Sequence, residues 1–242
     1  MRAERLGAPP RLSFEPAISG EPECTDAERS AWGELCAANP RLHDGPILSV
    51  RGFDAPSGRG ACVSERYRRL AVQAHAAVGD LGVRLLGVKG LIEGRDGDAA
   101  LRVLLARRSA QTLMYPGQWE IAPAGGVPRP RLGVTEIDGG HLGAALSAEA
   151  REELGIEIDR GAPDWCAVVF DERARSVDLI GRVAWPGGAV DGGVGMCRAG
   201  GGWEYVDAWW ARPEEAMRFG AERPETVSAP TLAVLALLYG RA

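Results

Sequence analysis

The chain has 242 residues, 45% of them hydrophobic and 25% charged, with a net charge of −5, an ordinary soluble globular composition large enough for one core or a core plus an extension. The negative balance and the lack of a basic run argue against nucleic acid and anionic membrane as partners. Five cysteines, Cys24, Cys36, Cys62, Cys166 and Cys197, form no C-x-x-C pair and are odd in number, which speaks against a disulfide framework and gives zinc no support.

Residues 1–25 are rich in Pro, Gly, Arg and Glu without periodicity and are expected to form a mobile or loosely docked arm. Residues 1–10 lack the apolar centre of a signal peptide, and the longest apolar run, 231–239, is too short to span a bilayer, so a cytoplasmic protein is expected. A short helix is predicted over 26–36, with Thr25 as N-cap, Trp32, Leu35 and Cys36 on one face, and Pro40 as its stop. Residues 47–53 read as a strand between Gly45-Pro46 and the Pro56-Ser57-Gly58 turn, with a second strand near Cys62 and Val63. A helix led by Ser64 is predicted over 65–73, with Tyr67, Leu70 and Ala71 on one face. The apolar faces of residues 26–82 are too small for a separate core, so this N-terminal subdomain is expected to pack on the rest. There it would line a pocket, cover a sheet edge or form a homodimer contact.

From Val83 the pattern is that of a sheet. A hairpin is predicted from 83–92 and 101–108, joined by a turn at Arg95-Asp96-Gly97-Asp98. It ends in Arg107-Arg108, each of which either caps a strand end or holds a phosphate with its planar guanidinium. Two glycines, Gly125 and Gly126, permit close backbone approach to a ligand or simply a tight turn. Residues 148–154 are predicted to be helical, following 142–147, with Gly155 as the left-handed C-terminal residue. At about 100° per residue, Glu149, Glu152 and Glu153 fall within roughly a 100° arc, and such a cluster repels itself unless a cation sits in it. Hard oxygen ligands suit Mg²⁺ or Mn²⁺. Strands are predicted over 165–170 and 177–185, a long Gly-rich loop or lid over 186–202, a strand over 203–210, and helices starting at Arg212-Pro213 and over 226–239. Trp203, Trp209 and Trp210 read as packing residues more than as a base-stacking platform.

Glu149-Ala150-Arg151-Glu152-Glu153-Leu154-Gly155-Ile156 resembles the end of the Nudix box, G-x5-E-x7-R-E-U-x-E-E-x-G-U with U aliphatic, and Trp119 to Gly126 is similar to the W-x-x-P-x-G-G stretch that precedes it. The first half departs: Ala148 stands where the family has Arg, Gly140 where it has the earlier Glu, and an insertion over 127–139 splits the box. The resemblance implies a Nudix α/β/α sandwich with a mixed sheet over about 83–242, carrying the N-terminal region as an α+β extension. It further implies a metal-dependent pyrophosphohydrolase. Glu149, Glu152 and Glu153 would be the Mg²⁺ or Mn²⁺ ligands and catalytic residues; Arg107, Arg108, Gly125 and Gly126 would contact substrate. The general base stays open among Glu204, Glu136, Asp138 and His141. Residues 32–46, with Tyr67 and Arg107-Arg108-Ser109, are similar to the animal Nudix enzymes that hydrolyse UDP-glucose and UDP-galactose. A nucleotide sugar is therefore the expected small-molecule partner. ADP-ribose, a dinucleotide or a free nucleotide are alternatives, as is a sensor that binds without cleaving.

Overall fold

Residues 85–95, Leu-Leu-Gly-Val-Lys-Gly-Leu-Ile-Glu-Gly-Arg, are buried over most of their length, as a strand covered on both faces must be. The rest of the molecule is laid out around them. In the computed structural model, which describes residues 1–15, 24–161, 163–190, 193–195 and 203–240, the elements are β1 (Arg2–Arg5), β2 (Arg11–Glu15), α1 (Asp26–Ala38), β3 (Pro46–Asp54), β4 (Arg59–Arg66), α2 (Tyr67–Val72), β5 (Leu85–Arg95), β6 (Leu101–Arg108), β7 (Trp119–Ile121), β8 (Ala124–Gly126), β9 (Glu136–Ile137), α3 (Gly139–Leu154), β10 (Asp164–Asp171), β11 (Ser176–Ala184), β12 (Gly193–Gly195), β13 (Tyr205–Ala211), α4 (Pro213–Glu222) and α5 (Ala229–Tyr239).

β5 pairs in parallel with β11 from Leu85↔Ser176 to Glu93↔Ala184 and antiparallel with β8 through Gly87↔Gly126 and Lys89↔Ala124. It meets β6 only at its far end, Glu93↔Val103 to Arg95↔Leu101, so the predicted hairpin is paired near its turn and then splays. One side of the sheet continues β11-β10-β1; β6 carries β13 and β7; β3, β4, β2 and β9 extend it through the single contact Ser49↔Leu85. This is a mixed sheet. α3 covers one face with Leu142, Ala145, Leu146, Ala150 and Leu154 against Leu86, Val88, Val168 and Leu179. α4 and α5 cover the other with Ala216, Val234 and Leu235 against Leu91, Leu105, Val169 and Ile180. The result is an α/β/α sandwich, and each fully buried aliphatic side chain in it contributes roughly 1.5–3 kcal/mol relative to exposure.

Helix ends follow their sequence signals. Thr25 and Glu28 form a reciprocal capping box at α1, with Glu28 N–H donating to Thr25 Oγ1 at 3.2 Å and Thr25 N–H to Glu28 Oε2 at 2.7 Å. Gly155, at φ 66°, ends α3 in the left-handed conformation that costs a glycine least.

Two local expectations are corrected. The mobile arm fails for residues 1–15: β1 pairs antiparallel with β10 and β2 in parallel with β4. Leu12 is fully buried and Phe14 nearly so, an alternation too short to stand out beside the Pro- and Gly-rich residues around it. Residues 16–23 lie outside the described set. The helix expected over 65–73 begins only at Tyr67, because Ser64 and Glu65 are still laddered to Leu48 and Ile47. Within the insertion, β9 pairs with β2, and Asp138 caps α3 by accepting from Gly140 and His141 N–H. Of the predicted loop over 186–202, residues 191–192 and 196–202, with Cys197, lie outside the described residues.

Candidate active site

α3 sorts its carboxylates by phase. Glu149 and Glu153 stand one turn apart; Glu153 is 6% exposed, Glu149 is half-buried and Glu152 is exposed. The three carboxylates differ in depth: Glu152 lies at the exposed rim, where its charge still reaches Glu149, because a helix packed on a sheet can bury only a limited stripe. β8 receives the two inner carboxylates. Ala124 N–H donates to Glu153 Oε2 at 3.0 Å. At Gly125 a Cβ would lie 2.0 Å from Glu149 Oε1, so only glycine leaves this carboxylate its place. The glycine pair thus makes room for protein carboxylate as well as any ligand.

Glu204, just before β13, joins them. Its carbonyl accepts from Ser109 N–H at 2.6 Å, which ties it to the end of β6, and its carboxyl shares a hydrogen bond with Glu153. Burial, then repulsion from Glu152 and Glu204, pushes Glu149 up to about 7. Burial pushes Glu153 up to about 9, the Ala124 N–H opposing and Glu204 and Glu149 adding to it. Among the described residues, no three acidic, His or Cys side chains already converge on one coordination point. The fit to Mg²⁺ or Mn²⁺ is one of donor chemistry: hard oxygens in a buried cluster that its own protein leaves unneutralised.

The other candidates sort differently. Glu136 pairs with Arg11 at 3.4 Å. Asp138 caps α3 and contacts His141 Nδ1 at 2.7 Å, roughly 16 Å along the helix from Glu149. None of these three is brought to the cluster. Arg151, one turn from Ala148, bonds the exposed Glu157 at 3.1 Å and does not orient the glutamates. Arg107 is engaged by Asp207 and is 43% exposed. Arg108 is half-buried, bonded to Glu120 and, at 3.3 Å, to Thr112 Oγ1. Trp209 packs edge-on to Trp119 and Phe219, and Trp210 to Trp185. Trp203 is exposed beneath the Arg41 guanidinium.

Beside the cluster lies a cavity of about 380 Å³, walled by Tyr67 and Leu70 of α2 and bordered by Arg108, Gly125 and Gly126. Ala124 and Gly125 line it and also touch Glu153 and Glu149, so cavity and cluster adjoin. Tyr67 also feels the charge of Glu204, which adds to burial in raising its hydroxyl.

Sequence reasoning missed the cavity's polar lining. Lys89 Nζ lies 3.2 Å from Glu120 Oε2, and Tyr205 donates to Glu120 Oε1 at 2.8 Å. Burial would raise Glu120, but Lys89 and Arg108 outweigh it and hold this carboxyl below its usual range. Asp178 is buried and accepts from Ser176 Oγ at 3.0 Å. The available signals were that Lys89 is the only lysine of the chain, and that Asp178 interrupts the apolar run Val177-Asp178-Leu179-Ile180.

No protein-family model matches the chain, and no relative was found among curated proteins. Among the described residues no helix is long and apolar enough to cross a membrane. The chain is similar to solved structures at low identity. DR0079 from Deinococcus radiodurans is 19% identical over 66% of this chain and 88% of its own, with a TM-score of 0.47. The MutT protein from Methanosarcina mazei is 21% identical over 63% of this chain and 90% of its own, with a TM-score of 0.43. The NUDIX domain of Shewanella oneidensis NrtR, solved in complex with ADP ribose, is 16% identical over 64% of this chain and 86% of its own, with a TM-score of 0.44.

Proposed function

We propose that this chain is a Mg²⁺- or Mn²⁺-dependent pyrophosphohydrolase of a nucleoside diphosphate derivative, with a UDP-sugar favoured, releasing a nucleoside monophosphate and a sugar 1-phosphate. The observation that carries the proposal is the group of Glu149, Glu153 and Glu204, with the first two carboxyls raised by burial and mutual repulsion, beside a cavity lined by Lys89 and Arg108. The UDP-sugar preference rests on the N-terminal sequence likeness.

Glu149 and Glu153 would hold the cation, with Glu152 joining from the rim. When bound, the cation would offset the charge of the pyrophosphate and lower the pKa of attacking water. Ala124 N–H and the bare Cα of Gly125 hold the two inner carboxylates in place. Glu204, carried by a different segment from α3, is the carboxylate assigned to take the proton from water at its Oε atoms. Arg108, part-buried on the cavity wall, supplies positive charge where negative charge builds up as the phosphorus–oxygen bond breaks.

Incubation with Mg²⁺ and UDP-glucose or UDP-galactose should give UMP and sugar 1-phosphate, read by ³¹P NMR. In ¹⁸O-labelled water the label should enter a phosphate product, since the nucleophile is water. Label at the sugar carbon would mean glycosidic cleavage and overturn the proposal. Turnover of ADP-ribose or dinucleotides alone would keep the hydrolase and remove the UDP-sugar. A second reading, a sensor that binds without cleaving, draws on one observation: the exposed Glu152 leaves no converged ligand set. Tight binding without turnover under either cation would select it.

A further inference from the structure

The cavity has two kinds of lining. Part of its wall is apolar, from Leu70 on α2 and Leu113 and Met114 in the loop after β6; charge comes from Lys89, Arg108, Glu120 and Asp178 on the sheet and from Asp171, Arg173 and Arg175 at the β10–β11 turn. Asp178 is in register with Gly87, two residues before Lys89, so both side chains leave the sheet on the same face.

Among the described residues the protein saturates neither group. The Lys89 ammonium has three donors and one bond, to Glu120. Asp178 is 6% exposed and receives one bond, from Ser176. Its Oδ1 occupies the space over Gly87, where a Cβ would lie 2.1 Å away, so the neighbouring strand makes room for this carboxylate. Lys89 is part-buried and Asp178 buried; their charges attract one another, and each keeps hydrogen-bonding capacity that a ligand in the cavity can complete.

We propose that this cavity is the nucleobase subsite and that Lys89 and Asp178 read a lactam edge, a ring carbonyl beside a ring N–H. Lys89 donates to the carbonyl oxygen and Asp178 accepts from the N–H. Uracil, thymine, guanine and hypoxanthine present that pair. Cytosine and adenine present an unprotonated ring nitrogen instead, which would set acceptor against acceptor at Asp178. A planar ring can lay an apolar face on Leu70 and Met114 while its polar edge meets Lys89 and Asp178. The inference rests on the pyrophosphohydrolase proposal only for where the phosphates lie, beside Gly125.

The test is titration calorimetry of the full chain in Mg²⁺ buffer with UMP, CMP, GMP and AMP, which carry no bond for the proposed reaction to cleave. UMP should bind at least about tenfold tighter than CMP, and GMP than AMP, as a buried mismatched polar pair requires. Asp178→Asn keeps the shape and supplies a donor, so it should bring the UMP to CMP ratio towards one. Equal binding of UMP and CMP by the unaltered protein would overturn the inference without any variant having to fold. Lactam-selective binding in a protein that hydrolyses nothing would keep the subsite and remove the hydrolase. Hydrolysis indifferent to the base would do the reverse.

Discussion

Two buried charge clusters stand on either side of Ala124 and Gly125, and they are built on opposite principles. Around Glu120 the chain supplies its own neutralisation: Lys89, Arg108 and the Tyr205 hydroxyl all reach one carboxylate and hold it ionised. Around Glu153 it supplies almost none. Among the described residues one backbone N–H, that of Ala124, reaches Glu153, and Glu149 and Glu153 are pushed up to about 7 and about 9. A closed cluster is part of the scaffold, since removing one partner strands the others in low dielectric. An open one is a site whose missing counter-charge comes from outside.

The contrast is broken most severely at Glu153. Glu153→Gln should lower the hydrolysis rate by on the order of a thousandfold or more, as loss of a buried charge that stabilises the transition state does, and leave the fold intact. Glu152→Gln, at the exposed rim, should cost much less. Equal losses in steady-state assays would mean that Glu152 turns inward when metal and substrate bind.

The closed cluster should answer in stability. Glu120→Gln leaves Lys89 and Arg108 without their shared charge and should lower the unfolding free energy by about 3–5 kcal/mol in urea titration. A loss under about 1 kcal/mol would show that the cluster is open to water and not part of the scaffold.

The smallest effect is the most diagnostic, because the two clusters should carry opposite pH signs. Glu149 and Glu153 are raised in the folded chain, so it holds more protons than the unfolded chain between about pH 4.5 and 9. Their contribution is fully present below the unfolded value and lost as pH rises through about 7 and about 9. Glu120 is lowered, so its contribution is present above the unfolded value and lost on acidification. In EDTA, Tm should fall from pH 6 to 9 by more in the unaltered chain than in Glu149→Gln or Glu153→Gln, and Mg²⁺ should flatten that slope by replacing the proton. A slope identical in all three proteins would show that these carboxyls are not perturbed.

What could be read from the sequence was local or periodic. The turn at Asp96, the capping of α1 by Thr25, the end of α3 at Gly155 and the acidic spacing of Glu149 and Glu153 each depend on a few adjacent residues, and the structure has them where the sequence places them. The alternation and apolar runs that mark β5, β10 and β11 follow from burial on a sheet, so an α/β chain was legible too. Long-range placement was not. That β1 adds to β10 and β2 to β4 depends on backbone groups that every residue carries alike, so a Pro-rich N-terminus gave no sign of it. A helical wheel puts Glu152 within the same arc as Glu149, and only the sheet underneath decides which of them is buried. Lys89, Glu120 and Asp178 lie far apart along the chain and mean little alone. Parallel pairing of β5 with β11, and the short β7 and β8 folded against β6 and β5, bring them to one cavity, where Glu120 is held by its neighbours and Lys89 and Asp178 line the wall at a distance from water that strengthens every charge.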